Sequence, residues 1–479
     1  MVKIEIRKPL VFAAVLVTFA LAVMTSLPQI DVARASSDGS GGKAVAHRDG
    51  GAEVKSASAR ADAPDAEISR IVVNKLPLNG VEPTLGLTKT GDIFYTAFQT
   101  NTRIEVAHSG DGGKTWDLKS PQVGGRNVHL LSLDPYLYVD KTTDRIFNID
   151  LTVACAYLSF SDDNGKTWLT NPAACSRPVN DHQTLFAGPP VLSPTVGYPN
   201  IVYYCWNDVG SSSCAKSLDG GVNFTGTGAP AYPGVDPVAG GQGDAFCGGL
   251  HGHGYVGPDG TLLLPKGHCG QPWLAISHDE GATWTRVQVA NNGVADHEAK
   301  AVMDKKGNIY YAYVGRDRMP YLTVSRDGGE KWSKPFAIGP PGLKEANLPA
   351  MDVGGPGKLA IVYMGSENSP FKPDSEKDPS YAKTTWNGYM TLVSNALSDE
   401  PLFYTSTVND KNDPLIRQHC GPGRCAAVYD FIDVVIGPDG TPWGAFVDGC
   451  TAICATAKGA SNMGSDAIVG HLVGGPSLK

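Results

Sequence analysis

The chain has 479 residues, of which 42% are hydrophobic and 18% charged, and its formal net charge is −8. A basic run is absent beyond the first residues, and this argues against nucleic acid as a partner, because phosphate backbones are held by lysine and arginine. The 57 glycines and 34 prolines indicate a chain with many turns.

The N-terminus predicts an export signal. Lys3, Arg7 and Lys8 form a basic start, and residues 10–24 are almost entirely apolar. Ala33 and Ala35, on either side of Arg34, are the small residues that fit a cleavage site after Ala35. The apolar run is shorter than the roughly 20 residues that cross a bilayer. We therefore expect residues 1–35 to be a signal peptide and the protein to be secreted without stable membrane insertion, with membrane anchoring by this segment as the alternative.

The segment 36–66 is rich in Ser, Gly, Ala and Asp and predicts a flexible leader. The folded domain is then expected to span 67–479. Seven hairpins of alternating apolar residues follow along it, near 82–98, 131–151, 188–206, 250–266, 297–313, 348–364 and 430–447. Their period of two and their Gly or Asp turns indicate β-strands.

A short turn motif, Ser-x-Asp-x-Gly-x-Thr-Trp, follows five of these hairpins. Its copies lie at 109–116, 161–168, 217–224, 277–284 and 325–332. The Asp side chain can hold a tight turn through backbone amides, the Gly takes a positive φ, and the aromatic residue packs beside the next strand. We therefore interpret Asp111, Asp163, Asp219, Asp279 and Asp327 as turn residues without a chemical role.

The spacing of the turns, about 50 residues, predicts a repeat architecture. Each hairpin and its turn make a unit of four strands. The sixth unit is expected to be completed around 389–407, and the seventh by 467–473 and by residues 68–73 from the other end of the chain. We predict an all-β fold, a β-propeller of seven four-stranded blades closed by an N-terminal strand, with six blades as the alternative.

The ten cysteines fall into neighbouring pairs in the sequence. Export permits disulfides, and the economical pairing is 155 with 175, 205 with 214, 247 with 269, 420 with 425, and 450 with 454. Zinc binding is the competing interpretation, but the chain contains no Cys-x-x-Cys motif. We expect no metal and no cofactor.

The five turns resemble the Asp box, and the chain resembles the sialidase superfamily of β-propellers. This resemblance implies a secreted glycoside hydrolase that acts on an acidic glycan. Such enzymes hold a substrate carboxylate with three arginines and use a Tyr nucleophile with a Glu base and an Asp acid. Glu298, Gly307 and Arg316 are similar to the family's Glu–Gly–Arg series, and Tyr429 with Asp430 occupies the nucleophile position. Arg417 or Arg424 is implied as a further arm of the clamp.

Two expected groups are missing. Glu82-Pro83 stands where the family has its first arginine, and the segment 99–103 lacks the acid/base aspartate. A glutamate at position 82 would repel a substrate carboxylate.

A propeller gathers ligand-binding residues at the end where its inner strands start. The strand starts there are expected to contribute Glu82, Asp134, His182, His251, His253, His297, Glu298, Asn347, Tyr429 and Asp430. The loops after the second strands should contribute Arg103, His268, Arg316 and Arg318. Our candidate catalytic residues are Glu298, Tyr429 and Asp430. The candidate substrate-binding residues are Glu82, Arg103, His251, His253, His268, His297, Arg316, Arg318, Arg417 and Arg424.

Two other functions stay open. His251, His253 and His268 could form a cluster on one hairpin, locked by a Cys247–Cys269 bridge, that serves a polysaccharide lyase. A propeller that binds glycan or protein without catalysis is the other alternative. The three imidazoles could also bind a metal. The sequence leaves open whether the protein is catalytically active, and it leaves open the sugar, the linkage, the stereochemistry, the metal requirement and the oligomeric state.

Overall fold

The seven predicted hairpins form the inner halves of seven antiparallel sheets in the computed structural model. The structure describes residues 44–53, 70–98, 104–121, 132, 134–152, 155–175, 180–208, 210–240, 247–295, 298–370, 383–417, 420–421, 424–425, 428, 430–450, 465–473 and 477–479. The predicted signal peptide lies outside these residues. Among them, no helix is both long enough and apolar enough to cross a membrane.

Blades 1 to 3 are regular four-stranded meanders. The strands of blade 1 are Val81–Leu87, Ile93–Phe98, Val106–Ser109 and Asp117–Leu118. Those of blade 2 are Tyr136–Val139, Ile146–Thr152, Cys155–Ser161 and Leu169–Cys175. Those of blade 3 are Asp181–Gly188, Ile201–Asn207, Ser212–Ser217 and Thr225–Gly226.

Blades 4 and 5 follow the same plan. Blade 4 comprises Tyr255–Val256, Leu262–His268, Gln271–Ser277 and Thr285–Gln288. Blade 5 comprises Ala299–Met303, Ile309–Val314, Pro320–Ser325 and Phe336–Ala337. The fourth strands of blades 1, 3 and 5 have only two residues each, so these outer edges offer little backbone for pairing with another chain.

Blade 6 is the widest sheet. Its four main strands are Glu345–Val353, Leu359–Ser366, Thr385–Val393 and Phe403–Thr407, and Ile416–Arg417 pairs with the third of them. Two short strands, Val45–Arg48 and Ala52–Glu53, add to its outer edge around a 3-10 turn at Asp49–Gly51. A separate small hairpin joins Cys420–Gly421 to Arg424–Cys425.

The N-terminal strands correct the prediction of a leader without regular structure. Val45 lies opposite Thr405 in the ladder, and the buried ring of His47 contacts the Thr405 hydroxyl oxygen at 2.8 Å. The outer edge of a sheet has unpaired backbone groups, and a passing segment of chain satisfies them whatever its composition. The rest of segment 36–66 lies outside the described residues.

Blade 7 closes the ring with strands from both ends of the chain. Asp433–Ile436, Pro442–Asp448 and Asp466–Val473 are followed by Arg70–Asn79 as the outermost strand. The first strand of each blade contacts the first strands of both neighbours, and blade 7 contacts blade 1. The seven-bladed prediction and its closing N-terminal strand are confirmed, and the six-bladed alternative is wrong.

The five repeated turns join the third and fourth strands of blades 1 to 5. In the first, Asp111 accepts hydrogen bonds from the Thr115 amide at 2.9 Å and the Thr115 hydroxyl at 2.6 Å. The Trp116 indole donates to the Gly113 carbonyl at 3.0 Å. The turns also need glycine for packing, since a Cβ at Gly329 would lie 2.4 Å from the Ile276 side chain. These contacts fit the structural role predicted for the aspartates.

Two of the predicted disulfides lie among the described side chains. Cys205 is bonded to Cys214, and Cys247 to Cys269. Cys155 and Cys450 are also disulfide-bonded. The side chains of their predicted partners lie outside the described residues, as do those of the 420–425 pair.

Candidate functional site

The antiparallel course of each blade defines two ends of the ring. The inner strands start at one end, here called the upper end, and run to the turns between first and second strands at the lower end. At the upper end, six blades send polar side chains toward the axis. The described members of this axial cluster are Glu82, Asp134, His182, His251, His253, Glu298 and Asp430, and all but Asp134 are at most 5% exposed.

An ion pair between His182 and Glu298 forms the centre of the axial cluster. His182 Nε2 of blade 3 contacts Glu298 Oε1 of blade 5. Burial lowers the pKa of His182, but the charge of Glu298 and its hydrogen bond outweigh this and raise the pKa to about 9. The pair is therefore an imidazolium and a carboxylate at neutral pH.

The acidic half of the axial cluster joins blades 1, 2 and 7. The Asp430 amide donates to Glu82 Oε1 at 3.2 Å, and the Glu82 side chain hydrogen-bonds Asp134. Burial raises the pKa of Asp134 to about 6, with further contributions from the charges of Asp181 and Asp430. The pKa of this one carboxyl group is thus raised toward the neutral range.

Blade 4 supplies two neutral imidazoles. Burial holds the pKa values of His251 and His253 well below the ordinary range, and the positive charge of His182, joined at His253 by that of Lys300, lowers them further. Their rings lie 6.0 and 6.1 Å from that of His182, and His253 also packs against Phe431 at 4.7 Å. Within the described part of the chain, Nε2 of neither ring has a hydrogen-bond partner.

The glycines around these two histidines explain how blade 4 approaches so closely. A Cβ at Gly252 would lie 1.9 Å from the Ala299 carbonyl oxygen, next to Glu298 in the chain. A Cβ at Gly254 would lie 2.0 Å from the Phe186 ring of blade 3. The His-Gly-His-Gly sequence at 251–254 thus allows the histidines to pack between blades 3 and 5.

The upper ends of three inner strands also share a backbone distortion. Glu82, His182 and Leu348 have φ values of 54°, 50° and 56°, and each lies in a β-bulge of blade 1, 3 or 6. Residues other than glycine rarely adopt a positive φ. Those that do are concentrated at functional sites. The bulges turn Glu82 and His182 toward the axis.

A cavity lies between the inner strands on the lower side of the axial cluster. It encloses about 270 Å³ and is lined by inner strands of all seven blades. Lys300 faces Asp433 and Asp352 across it, and burial lowers the pKa of Lys300 while raising that of Asp433 to about 6.

The sequence suggested that His268 clusters with His251 and His253, but in the structure its ring pairs with Asp236. The predicted bridge between Cys247 and Cys269 is present, but His268 Nε2 lies 3.2 Å from Asp236, which also pairs with Arg286 at 2.6 Å. The third imidazole beside His251 and His253 is His182. Alternation along a strand could not reveal this, because Asp236 reaches His268 from an irregular segment after blade 3.

The candidate arginines lie in different surroundings. Arg316 is exposed, whereas Arg318 is buried with its guanidinium 3.7 Å from Glu345. Arg417 is half-buried on the strand that pairs with Thr385. Arg103, His297, Tyr429 and the side chain of Arg424 lie outside the described residues, so their expected roles stay predictions.

The comparisons with known proteins give structural likenesses only. No protein-family model matches the chain, and no curated protein matches it significantly. A protein of unknown function from Dyadobacter fermentans DSM 18053 superposes with a TM-score of 0.42 at 14% identity, over 84% of this chain and 98% of that one. A Hadza microbial sialidase gives 0.38 at 17% over 60% and 63%. An intramolecular trans-sialidase from Ruminococcus gnavus gives 0.37 at 14% over 82% and 94%.

Proposed function

We propose that the axial cluster hydrolyses glycosidic bonds by acid/base catalysis between carboxyl groups. The observation that carries the proposal is the convergence of Glu82, Asp134, His182, Glu298 and Asp430 from five different blades at one end of the ring. Glycoside hydrolysis requires one carboxyl group that donates a proton and another that is ionised. Environments that separate two pKa values assign these roles.

Asp134 fits the proton donor. A pKa of about 6 leaves about a tenth of the Asp134 carboxyl groups protonated at pH 7 and a larger share at lower pH, and from this form a proton can pass to the oxygen of the leaving sugar. Glu298 fits the ionised partner, because the His182 imidazolium stabilises its negative charge. In this role it accepts a proton from water or from a neighbouring nucleophile. Tyr429, next to Asp430 in the chain, is the proposed nucleophile, as the resemblance implies.

The negative charge of the axial cluster limits which sugars can bind there. An acidic glycan requires cationic side chains over its carboxylate, yet Arg316 is exposed and Arg318 faces Glu345. Glu82 and Asp430 would repel a carboxylate placed between them. We therefore propose that the ring bound over Glu82 carries no negative charge.

A second function, glycan binding without catalysis, is favoured by one observation. The side chains of His182 and Glu298 are only 2% and 4% exposed, and each neutralises the other. A pair of this kind can simply order the upper end of the propeller so that loop residues bind a sugar.

A panel of fluorogenic glycosides, neutral and acidic, separates the two functions when it is assayed with the secreted protein, Glu298→Gln and Asp134→Asn. Hydrolysis that falls at least 100-fold in both variants supports the proposal. Glu280→Gln is a matched control, because Glu280 is an equally buried carboxylate paired with Lys216 at 2.7 Å at the lower end. Absence of hydrolysis with retained glycan binding supports the second function. New ultraviolet absorbance from a uronate polymer would favour a lyase instead.

A further inference from the structure

The lower mouth of the ring is a pocket with several lysines. It holds about 400 Å³, and Lys89, Lys141, Lys305 and Lys479 line it. These lysines come from turns of blades 1, 2 and 5 and from the last residues of the chain, and Gly354, Gly355 and Gly437 of blades 6 and 7 close the wall. The pocket therefore forms only when turns of several blades come together in the folded ring.

The ammonium groups outnumber the carboxylates around this pocket. Lys141 Nζ lies 2.8 Å from Asp352, but Asp352 also accepts the Ile436 amide at 2.7 Å and the Val353 amide at 2.9 Å. Lys89 Nζ donates to the Thr142 carbonyl at 2.6 Å. Lys305 is exposed and, within the described part of the chain, has no side-chain hydrogen bond or ion pair. On a chain of formal charge −8, this is a local reversal of sign.

The turn that carries Lys305 is rigid. Asp304 accepts the Lys306 amide at 2.8 Å, the Asn308 side-chain amide at 2.8 Å and the Tyr310 hydroxyl at 2.7 Å. The Tyr310 hydroxyl oxygen in turn accepts the Gly357 amide of blade 6 at 2.8 Å. Because the turn is fixed to its neighbour, little order has to be gained when a ligand binds Lys305.

The floor of this pocket is apolar. Leu87, Val353 and Ile436 lie among the lysines, and Ile436 and Leu87 are nearly fully buried. The lysine side chains above this floor are exposed, so their attraction for an anion is screened by salt. Lysine is a common partner of tetrahedral oxyanions, which it binds as a point charge.

We propose that this lower mouth binds a small, multiply charged oxyanion ligand, a sulfate or phosphate ester, at a site distinct from the axial cluster. The site involves Lys89, Lys141 and Lys305 and does not depend on the proposed hydrolysis. Three ammonium groups from three blades can surround one ester group, while the apolar floor contacts the carbon skeleton of the ligand.

Isothermal titration of the secreted protein with pyrophosphate and with a sulfated disaccharide tests this site. We expect binding in low salt that weakens as NaCl is raised, and a loss of at least tenfold in affinity for Lys89→Gln/Lys305→Gln. The control is Lys114→Gln/Lys331→Gln, which removes two exposed lysines from the Ser-x-Asp turns and leaves affinity unchanged. Binding of one probe and not the other supports the site and shows whether it takes phosphate or sulfate groups.

Two results would overturn the site: absence of binding to either probe, or equal losses in both double variants. All four positions are exposed, so misfolding is not expected, and thermal melting of each variant verifies this. Hydrolysis of a small glycoside, if present, should be unchanged in Lys89→Gln/Lys305→Gln, which separates this proposal from the proposed function.

Discussion

His182 and Glu298 form a buried ion pair that spans the upper end of the propeller from blade 3 to blade 5. The two residues are far apart in the sequence, because all of blade 4 lies between them in the chain. The two neutral histidines of blade 4 lie beside it. The pair therefore orders three blades at once.

Glu298→Gln should destabilise the protein by about 3 kcal/mol at pH 7, because the remaining imidazolium is buried without its counter-charge. The pKa of His182 should fall from about 9, since burial then acts with less opposition. NMR titration of labelled histidines and urea unfolding measure both effects. The control Glu280→Gln leaves the pKa of His182 unchanged, and a His182 that still titrates near 9 in Glu298→Gln would contradict the assignment.

The same pair predicts a pH dependence. The pKa of His182 is higher in the folded protein, about 9, than its ordinary 6.5. Its contribution to stability is therefore complete below pH 6.5 and is lost as the pH rises through 9. The unfolding free energy of the parent protein should fall over this window, and that of Glu298→Gln should fall less.

Asp134→Asn should stabilise the protein at neutral pH while it abolishes hydrolysis. The folded-state pKa of Asp134, about 6, lies above its ordinary 3.8. Ionisation in the folded state is thus unfavourable, and stability is lost as the pH rises from 3.8 through 6. Removing the charge should recover roughly 1–2 kcal/mol at pH 7. Thermal melting from pH 4 to pH 8 measures the gain, which should vanish at pH 4. A loss of stability at pH 7 would refute the raised pKa.

The fold was predictable because its signals are local. Alternation along 82–98 and 297–313 and the repeated Asp turns define strands and their period without any distant contact. The edge strand Val45–Arg48 was not predictable, because its ordering depends on the Phe403–Thr407 strand that it joins. Composition alone therefore mispredicted this segment as a flexible leader.

The site was predictable only in outline. Strand starts indicated that Glu82, Asp134, His182 and Glu298 share one end of the ring, but the ion pair and the bulges depend on how blades meet. The positive φ of His182 has no signal in its own residue type. The surroundings of His268 were not predictable either, because its partner Asp236 comes from outside the hairpin that suggested the histidine cluster.

The two described disulfides offer a matched pair for testing the position of the blade 4 histidines. Cys247→Ser/Cys269→Ser and Cys205→Ser/Cys214→Ser release loops of 22 and 9 residues and should each cost about 3 kcal/mol. Only the first frees the segment that carries His251 and His253. We expect both variants to melt earlier and only the first to lose hydrolysis or glycan binding. Equal losses in the two variants would remove the special role of the Cys247–Cys269 bridge.

Gly252→Ala should displace blade 4 from the axial cluster. The added Cβ would lie 1.9 Å from the Ala299 carbonyl oxygen, so the backbone around His251 and His253 has to move away from Glu298. Such overpacking costs about 1–3 kcal/mol, and hydrolysis or glycan binding should fall with it. Gly226→Ala is the matched control, because a Cβ at Gly226 meets no atom within 4 Å, and its stability should change by less than about 1 kcal/mol. Urea unfolding and glycan titration of both variants measure these effects. Equal stability and equal glycan binding in Gly252→Ala and Gly226→Ala would contradict this explanation. The two histidines would then be held beside His182 by something other than the close packing of blade 4 against Ala299.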